Sequence, residues 1–127
     1  MKALKIDVVN KTVSTIDIKD YKEIYAAIGN GCELFCCPIE FDNGDTLYSD
    51  DEGLLHENVE GCFALNDWNY PLVGNAIILG SDDEGESADA KTKAEDILNQ
   101  IIWGNSEAAE TYRGFAMSQS PMIYSYE

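Results

Sequence analysis

Four cysteines, one histidine and 24 carboxylates are the residues with chemistry to offer, and their spacing narrows what that chemistry is. Cys32, Cys36, Cys37 and Cys62 do not form the paired C-x-x-C knuckles of a structural zinc site, and no second histidine accompanies them. Cys36 and Cys37 are adjacent in a strand-like run, so their side chains face opposite sides. Free, inert thiols are the expectation, with no metal and no cofactor. His56 has no Ser or Cys at motif spacing and no G-x-S-x-G elbow near it, so a surface or strand histidine outweighs a general base. The acidic turns Asp42-Asn43-Gly44-Asp45, Ser49-Asp50-Asp51-Glu52 and Ser81-Asp82-Asp83-Glu84, with Glu86 just beyond, miss the spacing of a twelve-residue calcium loop. Adjacent carboxylates also say little about glycosidase chemistry in so acidic a chain. No G-x-G-x-x-G and no Walker lysine is present to cradle phosphate.

Charge is the feature that stands out. Among 127 residues, 24 acids face 8 bases, a net charge of −16, well beyond what solubility needs. Lys2, Lys5, Lys11, Lys19 and Lys22 crowd the N-terminal segment, and no Lys or Arg follows until Lys91, Lys93 and Arg113. The span from Glu23 to Ala90 thus holds most of the acids and no base. Direct nucleic-acid binding is disfavoured, because displacing counterions from phosphates takes Lys and Arg. An anionic membrane surface is disfavoured on the same ground, and no apolar run approaches the roughly 18 residues of a span. Basic proteins are the partners such a surface fits. The residues expected to form it are Asp42, Asp45, Asp50, Asp51, Glu52, Asp82, Asp83, Glu84 and Glu86. Trp68 and Tyr70, beside Asp67 and Pro71, are candidate contact or ligand aromatics, although a core lid is the commoner role of such a pair.

The elements that must carry these residues follow from periodicity. Residues 3–9 and 12–18 alternate as strands around Asn10-Lys11, a hairpin in which Asn10 takes the positive φ. Asp20 and Glu23 have capping-box spacing, and Tyr21, Ile24, Tyr25 and Ile28 form one stripe of a helix stopped by Gly29-Asn30-Gly31. A strand at 32–37 is ended, or placed at an edge, by Pro38. A turn at 42–45, a short strand at 46–48, an acidic turn and a possible strand at 54–56 come next, then irregular chain over 57–70. Leu72 to Leu79 reads as a central strand and Gly80 to Ser87 as a flexible acidic loop. A helix is expected from Ala88 to Trp103, a further one over 106–117, and a strand or loose tail over 121–126. The composition, 45% hydrophobic, suits one folded domain. The expected class is α+β: a small mixed or antiparallel sheet with an N-terminal hairpin, a short helix after it and a longer C-terminal helix packed on the sheet. The N-terminus shows no signal-peptide h-region, so a reducing, cytoplasmic setting is expected.

This order of pieces, with Glu52-Gly53 after an acidic turn and Gly74-Asn75-Ala76-Ile77-Ile78-Leu79-Gly80 leading into another, resembles the domain-of-unknown-function family numbered 3846. The resemblance spans residues 3–103 and leaves 104–127 as an extension. It implies an accessory protein of phages, plasmids or other mobile elements, working in a host cytoplasm, and it supplies no catalytic residues. Together, charge and resemblance point to a non-enzymatic interaction protein of DNA-mimic or counter-defence type that engages a basic host nuclease, restriction or regulatory protein. A small-molecule-binding module around 57–71 is the alternative, and a hydrolase the least favoured.

Overall fold

The computed structural model describes residues 1–51, 59–66 and 70–124, with side chains as far as residue 116. Among them two antiparallel sheets and three helices stack in four layers. The main sheet runs in the order β2 (Thr12–Asp17), β1 (Lys2–Asp7), β7 (Ala76–Ser81), β4 (Thr46–Asp50), β3 (Phe35–Glu40), with β8 (Ser87–Ala88) paired to the end of β7. The second sheet is β6 (Leu72–Val73), β5 (Cys62–Leu65), β9 (Ile101–Gly104). The α+β class, the N-terminal hairpin, the short helix after it and the longer C-terminal helix are all present.

β7 explains the layering. Ala76 through Gly80 are buried without a break, as a strand covered on both faces requires. Its side chains alternate between two cores. Ile77 and Leu79 join Ile24 and Ile28 of α1 (Tyr21–Ile28), whereas Ala76 and Ile78 join Phe63 and Leu65 of the second sheet and Ile97 of α2 (Ala94–Leu98). The second sheet turns its other face, through Cys62 and Val73, to Ala109 of α3 (Ser106–Tyr124). α1 starts as its sequence dictates. Asp20 accepts from the amides of Lys22 and Glu23, while Glu23 reaches back to the amide of Lys19 at 2.6 Å, one residue earlier than a capping box requires.

Several expectations need correction. The hairpin connection is Val8–Lys11 rather than two residues, since the Asp7 carboxylate binds the amides of Val9 and Asn10 and Lys11, not Asn10, takes the positive φ of 55°. β3 starts at Phe35 rather than Cys32, and of the two expectations for Pro38 the edge placement holds, because the strand does not stop there. It continues to Glu40 because it lies at the sheet edge and because pairing shifts register between Cys36 and Ile39, where a missing amide costs nothing. The irregular span contains β5. The apolar run from Leu72 is two strands, split at Gly74 (φ 89°) and at Asn75, whose side chain accepts from the Val8 amide. The acidic loop after Gly80 is a hairpin: Asp82 accepts from the amides of Glu84 and Glu86, and Gly85 (φ 82°) closes the turn back into β8. The expected helix over 88–103 is α2 alone, flanked by β8 and β9. Ile101, Ile102 and Trp103 are β-formers offered the open edge of β5, and pairing there wins over helix propensity. α3 runs on to Tyr124, so residues 121–124 are helical rather than strand or tail. The possible strand at 54–56 lies outside the described residues.

Candidate functional site

The direction of the strands decides where the acidic turns fall. β4 and β7 are antiparallel, with Thr46 opposite Leu79 and Ser49 opposite Ala76. The β3–β4 turn and the β7–β8 turn therefore project from the same end of the main sheet, and the Ser81 hydroxyl donates to the Gly44 carbonyl across them. Asp42, Asp82, Asp83, Glu84 and Glu86 are all exposed there. Asp50 and Asp51 stand at the opposite end of β4, about 16 Å away for five residues of strand. The described members of the expected surface thus fall into two groups, one at each end of the sheet, and not on one continuous face. Cations share this end: β1 begins there at Lys2, whose amide donates to Asp89, and the Lys91 ammonium donates to the Asn43 carbonyl at 3.3 Å.

Asp45 is not part of that surface. It is 0% exposed, and its carboxylate accepts from the amides of Lys91 and Thr92 at 2.9 and 2.7 Å and from the Thr92 hydroxyl at 2.6 Å. Asn43 supports the node from the turn, accepting from the Asp45 amide and donating to the Thr92 hydroxyl. A buried carboxylate persists where donors surround it. Its role is to clip the strap that follows β8 onto the end of the sheet, where the Lys2 amide also donates to Asp89 and the Ala90 amide to the Lys2 carbonyl. No alternation pattern in the sequence separates this aspartate from its exposed neighbours. The sequence feature tied to it is Asn43 two residues before it, whose side chain accepts from the Asp45 amide in an Asx turn and so fixes that backbone.

Beside the same end lies a cleft of about 330 Å³ between the outer edge of the main sheet and the start of the second. Ile39, Phe41 and Leu65 line it together with Glu40, Asp42 and Gln100. Ile39 and Phe41 pack against the core between the sheets, while Glu40 and Asp42 are exposed. Except for Asp42, none of these stood out in the sequence. Seeing them required β3 to pass Pro38 and Gln100 to leave a helix for the approach to β9.

At the other end, Cys32 and Cys36 sit half-buried and Cys37 is exposed, all as free thiols. Cys36 lies 3.5 Å from the Ser49 hydroxyl. Burial and then the Asp50 carboxylate push the Cys32 thiol up to about 11, and burial raises the other three thiols as well. Each unit is tenfold in thiolate, so at pH 8 Cys32 should react with iodoacetamide about a hundredfold more slowly than an ordinary thiol. Peptide mass spectrometry after alkylation in buffer and in urea measures this directly. Because the folded value lies above the unfolded one, the corresponding stability is intact below about pH 9 and is lost between about 9 and 11. Among the described residues, no three His, Cys, Asp or Glu side chains gather as a metal-holding group.

Glu52, His56 and Trp68 lie outside the described residues. Tyr70 is 62% exposed, so it is no core lid, and the Tyr112 phenol is pushed up by burial first and by Tyr70 second. No helix among the described residues is long and apolar enough to cross a membrane.

A two-sheet α+β domain with two of its acidic turns side by side at one sheet end is the class these features define. The chain belongs to the family described as domain of unknown function (DUF3846), whose match covers residues 1–102. That match takes in both sheets up to the middle of β9 and leaves α3 beyond it. No solved structure matches the chain.

Proposed function

We propose that this chain is a non-enzymatic interaction protein that docks the acidic end of its main sheet onto a basic, nucleic-acid-facing surface of another protein. The observation that carries the reading is the pairing of the β3–β4 and β7–β8 turns, which groups Asp42, Asp82, Asp83, Glu84 and Glu86, none of them in an ion pair with a described residue. Rigid turns hold these charges in place, so a partner meets a preset array rather than a flexible acidic arm, and less ordering entropy is lost on binding. Duplex DNA carries one charge per roughly 1.7 Å, and a cluster of carboxylates at one end imitates a short piece of it. The reading is narrower than mimicry along the whole domain, because Asp50 and Asp51 point away from that end. The setting it implies is a phage or mobile-element protein acting in a host cytoplasm against a nuclease, restriction or regulatory protein.

Capture from host lysate at low and high salt, followed by competition with duplex DNA, tests this. The expected partner is a nucleic-acid-binding protein that is released by salt and displaced by DNA, since exposed charges are screened within a Debye length. Capture that ignores salt, or that leaves DNA bound to the partner, rules the proposal out.

A further inference from the structure

We propose that the outer edge of β2 is a contact for a second copy of this chain, added antiparallel about a two-fold axis at Ser14. β2 ends the main sheet, and no strand among the described residues pairs with its far side. The phase of the β1–β2 ladder fixes which groups are left over. The Met1 ammonium donates to the Ile18 carbonyl and the Ile18 amide to the Met1 carbonyl, at 2.7 and 2.8 Å. Pairing then runs unbroken from Lys2 opposite Asp17 to Asp7 opposite Thr12, and hydrogen-bonded pairs alternate with open ones in such a ladder. Ile16, Ser14 and Thr12 therefore bond to β1, whereas Val13, Thr15 and Asp17 turn their amides and carbonyls outward. None of those outward groups bonds to another described residue.

The two edges of the main sheet differ in how they meet a further strand. β3 carries Pro38, a register shift between Cys36 and Ile39, and Glu40, each an obstacle to pairing. β2 has no Pro, no Gly, no bulge and no lysine within the strand. Its Thr, Val and Ile side chains suit a paired strand.

Charge selects a second copy as the occupant. An outward-facing residue must meet another outward-facing one, so few registers are open. Centring on Ser14 sets Val13 against the partner's Thr15 and Thr12 against the partner's Ile16, all β-branched. It also sets Asp17 against the partner's Lys11, just beyond the strand, and symmetry makes this contact twice. Both residues are exposed, and neither is in an ion pair with a described residue. Centring on Thr15 would oppose Lys11 to the partner's Lys19 and Val13 to the partner's Asp17, and centring on Ile16 would leave Asp17 facing the partner's Thr15. The antiparallel arrangement also spaces the larger acidic groups. They lie at the Lys2 and Asp17 end of each sheet, so they fall at opposite ends of the joined one, where repulsion between two chains of charge −16 is least. The acidic turns stay exposed in such a pair, so this contact neither needs nor excludes the docking above.

The test is sedimentation of the whole chain from about 10 µM to about 1 mM, since so short an interface is weak, with hydrogen exchange at both limits. A dimer should form as concentration rises, and the Val13 and Thr15 amides should gain protection with it. Thr15→Pro removes an outward amide and no bond to β1, so it should keep the fold and weaken dimerisation by more than about tenfold. Lys11→Glu alone and Asp17→Lys alone should each weaken it about tenfold, and the two together should restore it to within about threefold. This charge swap decides the matter even where the proline variant unfolds. A chain still monomeric at the top of the range, its edge left for a foreign strand, overturns the inference. So does a dimer that a folded Thr15→Pro or the single charge reversals leave unchanged, or that the combined reversal fails to restore.

Discussion

Asp45→Ala is expected to destabilise the protein by about 4 kcal/mol and to lower Tm by about 12 °C. The substitution deletes the acceptor for the Lys91 and Thr92 amides and for the Thr92 hydroxyl at a site fully closed to water. Each donor left without a partner costs about 1–3 kcal/mol, and water entering the space recovers part of it. Asp45→Asn should cost less, about 2–3 kcal/mol, because one oxygen remains while an NH₂ group now faces a donor. Urea unfolding followed by tryptophan fluorescence measures both. A loss below about 1 kcal/mol for the alanine variant would show that the strap is held by other contacts. An exposed aspartate in the same turn, such as Asp42, gives the contrast, since its removal should shift stability by no more than about 0.5 kcal/mol.

Gly80→Ala should be comparably severe, at about 3 kcal/mol or more, for a steric reason. A Cβ at this position would lie 2.3 Å from the Asp89 carbonyl oxygen and 3.0 Å from Asp45 Oδ1. The nearer obstacle is backbone, so no rotamer change relieves it. Relief requires the strap to lift from β7, and the lift breaks the hydrogen bonds to Asp45. Hydrogen exchange should therefore rise first at Ala90, Lys91 and Thr92, whose amides close that contact. Combined with Asp45→Ala, the effect should fall short of additive, because both changes detach the same segment. Full additivity, with those amides still protected, would contradict this account.

Both residues show where sequence reading reaches its limit. Gly80 looked like the start of a mobile loop and Asp45 like one more surface charge, because local pattern cannot report what a distant segment does to a side chain. The legible parts were those decided locally. The β1–β2 alternation, the Asp20 cap with its Ile24 and Ile28 stripe, and the fully apolar β7 all carry their own signals. Residues 88–103 failed for the opposite reason: their apolar spacing suits a helix, but the edge of β5, supplied by residues some forty positions earlier, captured Ile101 to Gly104 as a strand. The acidic surface was legible by composition and not by position. Only the antiparallel pairing of β4 and β7 divides it into two ends, buries one of its members and brings a cleft beside the larger group.

The central place of β7 also fixes an order of events during synthesis. The β1–β2 and β3–β4 hairpins close over short connections and can form as soon as their residues leave the ribosome. Neither touches the other in the main sheet, because β7 stands between β1 and β4. Until residue 81 has been made, the two hairpins remain separate, each with an apolar strand edge unpaired. Joining them then depends on contacts such as Ile6 with Ala76, far apart in the chain, and long-range pairings of this kind are slow. The nascent chain therefore passes through an interval in which two edges, later covered by one strand, are open to any neighbouring strand, and the charge already present, 14 acids against 5 bases over residues 1–81, keeps such chains apart while it lasts.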